Sequence, residues 1–228
     1  MNNFIEYIEV RRKRIEVFKK AIENREVDNN KKIELNAAIF DAYLYKTIAL
    51  YSSEANKELV TASLVEAITA FEDGFYWEGF AKSYAMYGQM VWMLSLGILC
   101  EVDDANFKRI VAVIQRGGAQ DELLKTLVNY RLPRTMQGSS YIQKSPYAHL
   151  DGLVKGQDKS ISFIKTYLNK KWYQGHRDAP WYDSHKRTKV NTYFGYWAWE
   201  VAALVKIYAI DDEELKEQQY YPYRAVRW

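Results

Sequence analysis

Tyr84-Ala85-Met86-Tyr87-Gly88-Gln89-Met90-Val91-Trp92-Met93-Leu94-Ser95-Leu96-Gly97-Ile98-Leu99-Cys100 is the stretch on which the fold turns. With the residues before it, Trp77, Phe80, Ala81, Tyr84, Tyr87, Val91 and Leu94 line one helical face, and Met86, Met90, Met93 and Leu96 fill much of the other. The spacing predicts a helix over about 76–98 that is apolar nearly all round, and such a helix lies at the centre of its protein. The longest apolar run, Met90 to Cys100, falls well short of the ~20 residues that span a bilayer. A soluble chain with a buried central helix, and no membrane partner, is the expectation.

Working outward, the neighbours read as helices too. Phe4, Ile8, Ile15, Phe18 and Ile22 recur at helical spacing among Arg and Lys. Leu35, Ala38, Ile39, Ala42 and Ala49 form a second stripe, and Val60, Leu64, Ala67, Ile68 and Phe71 a third. Asp28-Asn29-Asn30 and Ser52-Ser53 punctuate the joins with side chains suited to capping. Downstream, Asp103-Asp104 opens a helix carrying Phe107, Ile110, Val111 and Ile114, and Gly117-Gly118 closes it. Leu123, Leu124, Leu127 and Val128 mark the next. Residues 131–146 read as a loop, 147–155 and 157–169 as short helices, and 172–190 as a long polar loop. A last helix is expected to start at Asn191 or Thr192. No run alternates for long enough to mark a strand. The chain reads as an all-α bundle of about nine helices, with an N-terminal helical domain over 1–100 packed on a C-terminal one over 101–228. Val102-Asp103-Asp104 and Ile210-Asp211-Asp212 each follow an apolar helix, a faint internal echo.

Composition sets bounds on function. The 228 residues are 48% hydrophobic and 27% charged, ordinary for a globular protein. Net charge is only +3, without the concentrated basic face of a nucleic-acid-binding domain, so no direct nucleic-acid partner is expected. Cys100 is the single cysteine, which excludes an intrachain disulfide, and its apolar neighbours make it a core thiol. Acidic residues stand early in the chain, where a signal peptide would have its apolar run, so the expected location is cytoplasmic.

Chemistry, if there is any, should lie in the last quarter. Trp172-Tyr173-Gln174-Gly175-His176-Arg177-Asp178-Ala179-Pro180-Trp181-Tyr182-Asp183-Ser184-His185-Lys186 is followed by Tyr193-Phe194-Gly195-Tyr196-Trp197-Ala198-Trp199-Glu200 and, at the end, Tyr220-Tyr221-Pro222-Tyr223. So many rings form either a tightly specified core or a recognition surface. The three histidines, His149, His176 and His185, fit no zinc-binding spacing. There is no Gly-x-Ser-x-Gly elbow and no phosphate-binding glycine loop, so no cofactor or metal is expected. Arg11-Arg12-Lys13-Arg14 reads as a solvated helix face. Tyr193, Trp197, Glu200 and Leu204 fall on one helical face, which predicts a buried Glu200 carboxylate paired with a cation from the 176–190 loop. A general acid with a raised pKa is the alternative role.

The segments Asp178–Lys186 and Tyr193–Trp197, with Glu200-Val201-Ala202-Ala203, Ile210-Asp211-Asp212 and Tyr220-Tyr221-Pro222-Tyr223, resemble the PoNi immunity family. So do Leu94–Leu99, Val102-Asp103-Asp104 with Phe107, and Asp121-Glu122-Leu123-Leu124. The resemblance implies an all-helical protein with a C-terminal immunity domain. It also implies binding to a cognate PoNe nuclease toxin of the PD-(D/E)xK type, used between competing bacteria, and no catalytic residues. Asp178, Asp183, His185, Lys186, Trp197 and Glu200 would then be structural. Trp181, Tyr182, Asp211, Asp212 and Tyr223 are the candidates for toxin contact. The slight positive charge argues against wholesale mimicry of DNA, while acidic patches such as Asp211–Glu214 suit a basic cleft. Two other readings stay open. One is a helical adaptor with an aromatic groove, and the other a hydrolase built on Asp178, Asp183, His185 and Glu200.

Overall fold

A computed structural model describes residues 2–24, 27–75 and 79–228. In chain order the helices are α1 (Asn2–Glu23), α2 (Asn29–Ser52), α3 (Lys57–Gly74), α4 (Tyr84–Leu99), α5 (Asp104–Arg116), α6 (Glu122–Arg131), α7 (Asp151–Val154), α8 (Ile161–Tyr167), α9 (Tyr173–Gly175), α10 (Trp199–Ile207) and α11 (Tyr223–Val226). A π-helical turn, Leu168–Trp172, carries α8 into α9. The protein is all-α, and there is no strand among the described residues. Among the described residues no helix is long and apolar enough to cross a membrane.

Caps explain many of the boundaries. Asp28 accepts the Lys31 N–H at 2.8 Å to open α2, Asp103 accepts from Asn106 at 2.7 Å to open α5, and Asp121 accepts from Leu124 at 3.0 Å to open α6. The α2–α3 join differs from expectation. Asn56, not Ser52 or Ser53, caps α3 by accepting from Leu59, while Ser53 bonds back to the Leu50 carbonyl. Gly118, at φ +65°, supplies the left-handed residue beyond α5.

The chain divides into two compact units that are not continuous in sequence. The first holds Met1–Trp77, Val102–Val113 and Asp183–Gly195, and the second holds Glu78–Glu101, Ile114–Tyr182 and Tyr196–Trp228. In the first, α2 packs against both α1 and α3. Phe40, Phe71 and Phe75 meet with centroids 4.7–5.0 Å apart. Gly74 lets the helices close here, since a Cβ would stand 3.0 Å from that of Phe40. A buried hydroxyl pair, Thr47 and Ser63 at 2.8 Å, and the Lys46–Glu66 ion pair tie α2 to α3. Arg109 of α5 grips Glu72 with two nitrogens, at 3.0 and 2.6 Å. Segment 193–195 docks on this unit. Phe194 stacks on Tyr45 at 4.5 Å and approaches Tyr7, and its carbonyl accepts from Ser52.

In the second unit α4 contacts α6 and α10. Every residue from Gln89 to Cys100 is buried, as the two-faced apolar pattern predicts. Tyr87 and Val91 are fully enclosed, and Tyr84 is partly so. The buried Asp121 also organises the loop after α6, accepting from Tyr87 Oη at 3.0 Å and from the Ile142 N–H at 2.8 Å. Burial raises its carboxyl pKa, and these donors pull it part of the way back. Gly138 is required there, because a Cβ would lie 2.4 Å from the Asp121 carbonyl oxygen.

Three sequence readings need correcting. The central helix starts at Tyr84, not near 76, because Gly79 is left-handed (φ +79°) and Ser83 extended (φ −67°, ψ 128°). Tyr76 and Trp77 lie outside the described residues. The last long helix begins at Trp199, not at Asn191 or Thr192, so Tyr193 and Trp197 share no helical face with Glu200. The echo after Asp211-Asp212 fails as well. Asp103-Asp104 opens a full helix, whereas Asp211-Asp212 is followed by a single 3-10 turn, Glu213–Leu215.

Candidate functional site

The aromatic quarter of the chain splits into a sealed core and a partly exposed stack, both in the second unit. The core centres on His176, which is 1% exposed. The rings of Trp172, Trp181, Tyr147 and Tyr84 surround it at 5.0, 4.9, 5.5 and 6.0 Å. The Tyr84 hydroxyl lies 3.0 Å from the Gly175 carbonyl and 2.8 Å from His176 Nδ1. A carbonyl oxygen can only accept, so the hydroxyl proton goes there and Nδ1–H donates to the hydroxyl oxygen. Nε2 is then a buried lone pair with no hydrogen-bond partner among the described residues. Burial drives the His176 pKa down to about 3, and the ring is neutral at any physiological pH.

Glu200 is buried, as the sequence predicts, but its partners are not cations. Oε1 accepts from Tyr167 Oη at 3.2 Å. Oε2 and the Trp172 indole nitrogen each lack a well-formed hydrogen bond. The indole still lowers the carboxyl pKa, so it is a nearby but poorly aligned donor. Burial outweighs these effects and pushes the pKa up from 4.5 to about 7. The expected ion pair with the 176–190 loop is therefore replaced by a phenol and an indole.

Above this core the side chains of Tyr173, Tyr182 and Tyr220 form a stack. Tyr173 lies 4.7 Å from Tyr182 with planes 27° apart, and 5.3 Å from Tyr220 with planes 9° apart. Tyr220 in turn lies 4.8 Å from Trp172. All three tyrosines are partly exposed, while Trp172 and Trp181 beneath them are buried. Tyr182 is among the sequence candidates, but Tyr173 and Tyr220 are not. Their only signal is membership of aromatic pairs, Trp172-Tyr173 and Tyr220-Tyr221, which says nothing of stacking.

The remaining candidates scatter. Trp181 is 9% exposed and packs on Trp92, Trp172 and Tyr196. Asp211 is exposed, but Asp212 is buried, accepting from Arg227 at 2.8 Å and from Tyr221 Oη at 2.6 Å. Tyr223 donates to Glu213 and lies under the Arg227 guanidinium, 3.3 Å from the ring centroid. Asp178 is exposed, and Trp197 is partly buried beside Trp199. In the first unit, Asp183 pairs with Lys186 at 2.9 Å, and exposed His185 meets the Tyr193 ring. Asp178 and Glu200 thus belong to one compact unit, and Asp183 and His185 to the other. Arg11, expected on a solvated face, is partly buried with its guanidinium over the Tyr7 ring at 4.4 Å, while Arg12, Lys13 and Arg14 are exposed.

The chain is all-helical, with a sealed aromatic core under a partly exposed ring stack. Residues 2–112 match the family described as PoNe immunity protein (PoNi), N-terminal, and residues 119–224 match PoNe immunity proteins (PoNi), C-terminal. The chain belongs to the PoNe immunity protein family. No curated protein matches it. Among solved structures it is similar in fold to protein PA2201 from Pseudomonas aeruginosa, with a TM-score of 0.70 at 15% identity, over 99% of this chain and 87% of that one.

Proposed function

We propose that this protein acts in the cytoplasm as an immunity protein, neutralising one cognate PoNe-type DNase toxin of interbacterial competition by stoichiometric binding. The observation that carries this reading is the family match on both parts of the chain, 2–112 and 119–224. The geometry supports binding over turnover. Glu200 and His176, whose acid–base behaviour burial perturbs, are 0% and 1% exposed, and no substrate reaches them without unfolding the core. Within the proposed hydrolase set, Glu200 is sealed.

The deciding experiment titrates the purified toxin's DNase activity with this protein. Linear loss of activity with an endpoint near equivalence is the expected result. Time-dependent inactivation at substoichiometric ratios would instead indicate an enzyme. No effect on any PoNe-type nuclease found in the reading frames adjoining this chain's gene would favour an adaptor. Affinity is expected to be nanomolar or tighter, about −12 kcal/mol, because an inhibitor of a lethal enzyme must outlast each encounter.

A further inference from the structure

The boundary between the family regions and the boundaries between the compact units do not coincide. The family regions, 2–112 and 119–224, divide the chain once, within α5. The compact units divide it into six alternating segments, three in each. Each unit therefore contains an element from the other family region. The second unit contains α4, which belongs to the N-terminal region. There α4 lies against α6 and α10 and supplies three rings to the aromatic core. Tyr87 donates to Asp121 at 3.0 Å, and its ring meets Tyr147 at 5.0 Å. The Tyr84 hydroxyl bonds the Gly175 carbonyl at 3.0 Å and His176 Nδ1 at 2.8 Å. Trp92 packs on Trp181 at 5.8 Å. Conversely, the first unit contains residues 183–195 of the C-terminal region. Phe194, 3% exposed, fills a socket formed by Tyr7 and Tyr45, and Ser52 donates to its carbonyl at 2.8 Å. Tyr193 meets Phe4 at 5.7 Å, and Asn191 donates to the Asn3 carbonyl at 2.8 Å.

We propose that the two family regions of this chain are not separable modules: α4 completes the core of the second unit, Phe194 plugs the first, and the protein works only as the undivided chain. Without segment 193–195 the Tyr7 ring, now 1% exposed, is opened to water. Without α4 the fully buried Asp121 loses one of its donors, and His176 loses the hydroxyl that accepts from Nδ1. A buried polar group left unmet costs more than an ordinary hydrogen bond contributes. The helix fares no better alone. Every residue of α4 from Gln89 onward is buried, so without α6 and α10 it presents apolar surface on all sides. Both units also need residues beyond 182, so neither is complete until nearly the whole chain has been made. The hydrogen bonds that close the first unit span 142 and 188 positions, and contacts of such separation are slow to form. On the immunity reading given above, the C-terminal family region alone would not protect a cell, wherever on the surface the toxin is held.

Amide hydrogen exchange on full-length variants tests this in the absence of any toxin. Phe194→Ala lies in the C-terminal family region, yet it should speed exchange in α1 and α2 by on the order of 100-fold, the scale of an emptied aromatic site in a core. Tyr87→Ala lies in the N-terminal region and should speed exchange in α6, α10 and residues 172–182 to a similar degree. Phe194→Leu and Tyr87→Phe should give the same crossed pattern at about tenfold or less, and they keep the test readable if the alanine variants do not fold. Acceleration throughout the chain would support the proposal as well, since both regions would then open as one. Wild-type exchange of α1 and α2 in the Phe194 variants, or of α6 and α10 in the Tyr87 variants, would overturn it, because each disturbance would then stay within its own family region. No toxin takes part, so that failure would leave the immunity reading intact, while a failed toxin titration would leave the crossed pattern intact.

Discussion

Replacing Glu200 with glutamine should remove one titration from the centre of the second unit while keeping the shape of the side chain. Glu200 is fully buried, and burial holds its proton from an ordinary value of 4.5 up to about 7. In the unfolded chain it ionises near its ordinary value. Between these two values the folded state binds a proton that the unfolded state has lost. The stabilisation is therefore complete below about 4.5 and is lost as pH rises through about 7. At about 1.4 kcal/mol per pH unit this interval is worth on the order of 3 kcal/mol. His176 titrates in the opposite sense. Its pKa falls from 6.5 to about 3, so its contribution is present above 6.5 and lost as pH falls toward 3. The two slopes oppose one another over much of the acid range, and a wild-type profile alone would hide both. Subtracting the wild-type curve from that of Glu200→Gln cancels His176. Tyr84, Tyr147 and Tyr167, also near the carboxyl, have raised pKa values and stay neutral in this range. Urea unfolding of both proteins from about pH 4 to pH 8.5 should show the variant gaining about 3 kcal/mol on wild type as pH rises. A difference that does not change with pH would refute the reasoning. A variant that instead loses ground with rising pH would mean that a cation faces the carboxylate.

Other substitutions test the scaffold. Asp121→Ala strands the Tyr87 hydroxyl and the Leu124 and Ile142 N–H groups together, and urea unfolding should show a loss of about 3–5 kcal/mol. Gly138→Ala would drive a Cβ to 2.4 Å from the Asp121 carbonyl oxygen, where backbone cannot yield, so soluble expression should fall sharply. Gly117→Ala meets the Phe80 ring at 2.4 Å, and because a ring can shift, calorimetry should show a milder loss of about 1–3 kcal/mol. Arg227→Ala leaves Asp212 with Tyr221 and, since the arginine is 40% exposed, should cost only about 1–2 kcal/mol in unfolding by urea.

The helical fold is legible because its signals are local. Asp28, Asp103 and Asp121 cap the helices that follow them, and each acts within three residues of itself. Apolar spacing on both faces of 84–99 marks α4 as interior without reference to any other segment. Sequence and structure part where distant contacts override local preference. Tyr193 to Trp197 has helical spacing, yet Phe194 is held by Tyr45, Tyr7 and Ser52, residues about 140 or more positions away, and Gly195 turns the chain at φ +105°. The helical stripe that predicts a buried Glu200 does not exist in the fold. Glu200 is buried all the same, because its own neighbours, Val201 to Val205, are all interior.

The sequence by itself determined the class of fold, the central position of α4 and the family, since each depends on residue identity and spacing along the chain. Only the tertiary structure decided what the aromatic residues do. Trp172, Tyr173, Trp181, Tyr182 and Tyr220 look alike in sequence, yet two are sealed against His176 and three are stacked at the surface. Tertiary structure also settled the partner of Glu200. A buried carboxylate takes whichever donor the packing brings, and here Tyr167, 33 residues away, was brought close while no cation among the described residues was. Periodicity records which side of a helix faces inward, but which groups meet there depends on how separate segments pack, and no local pattern encodes that.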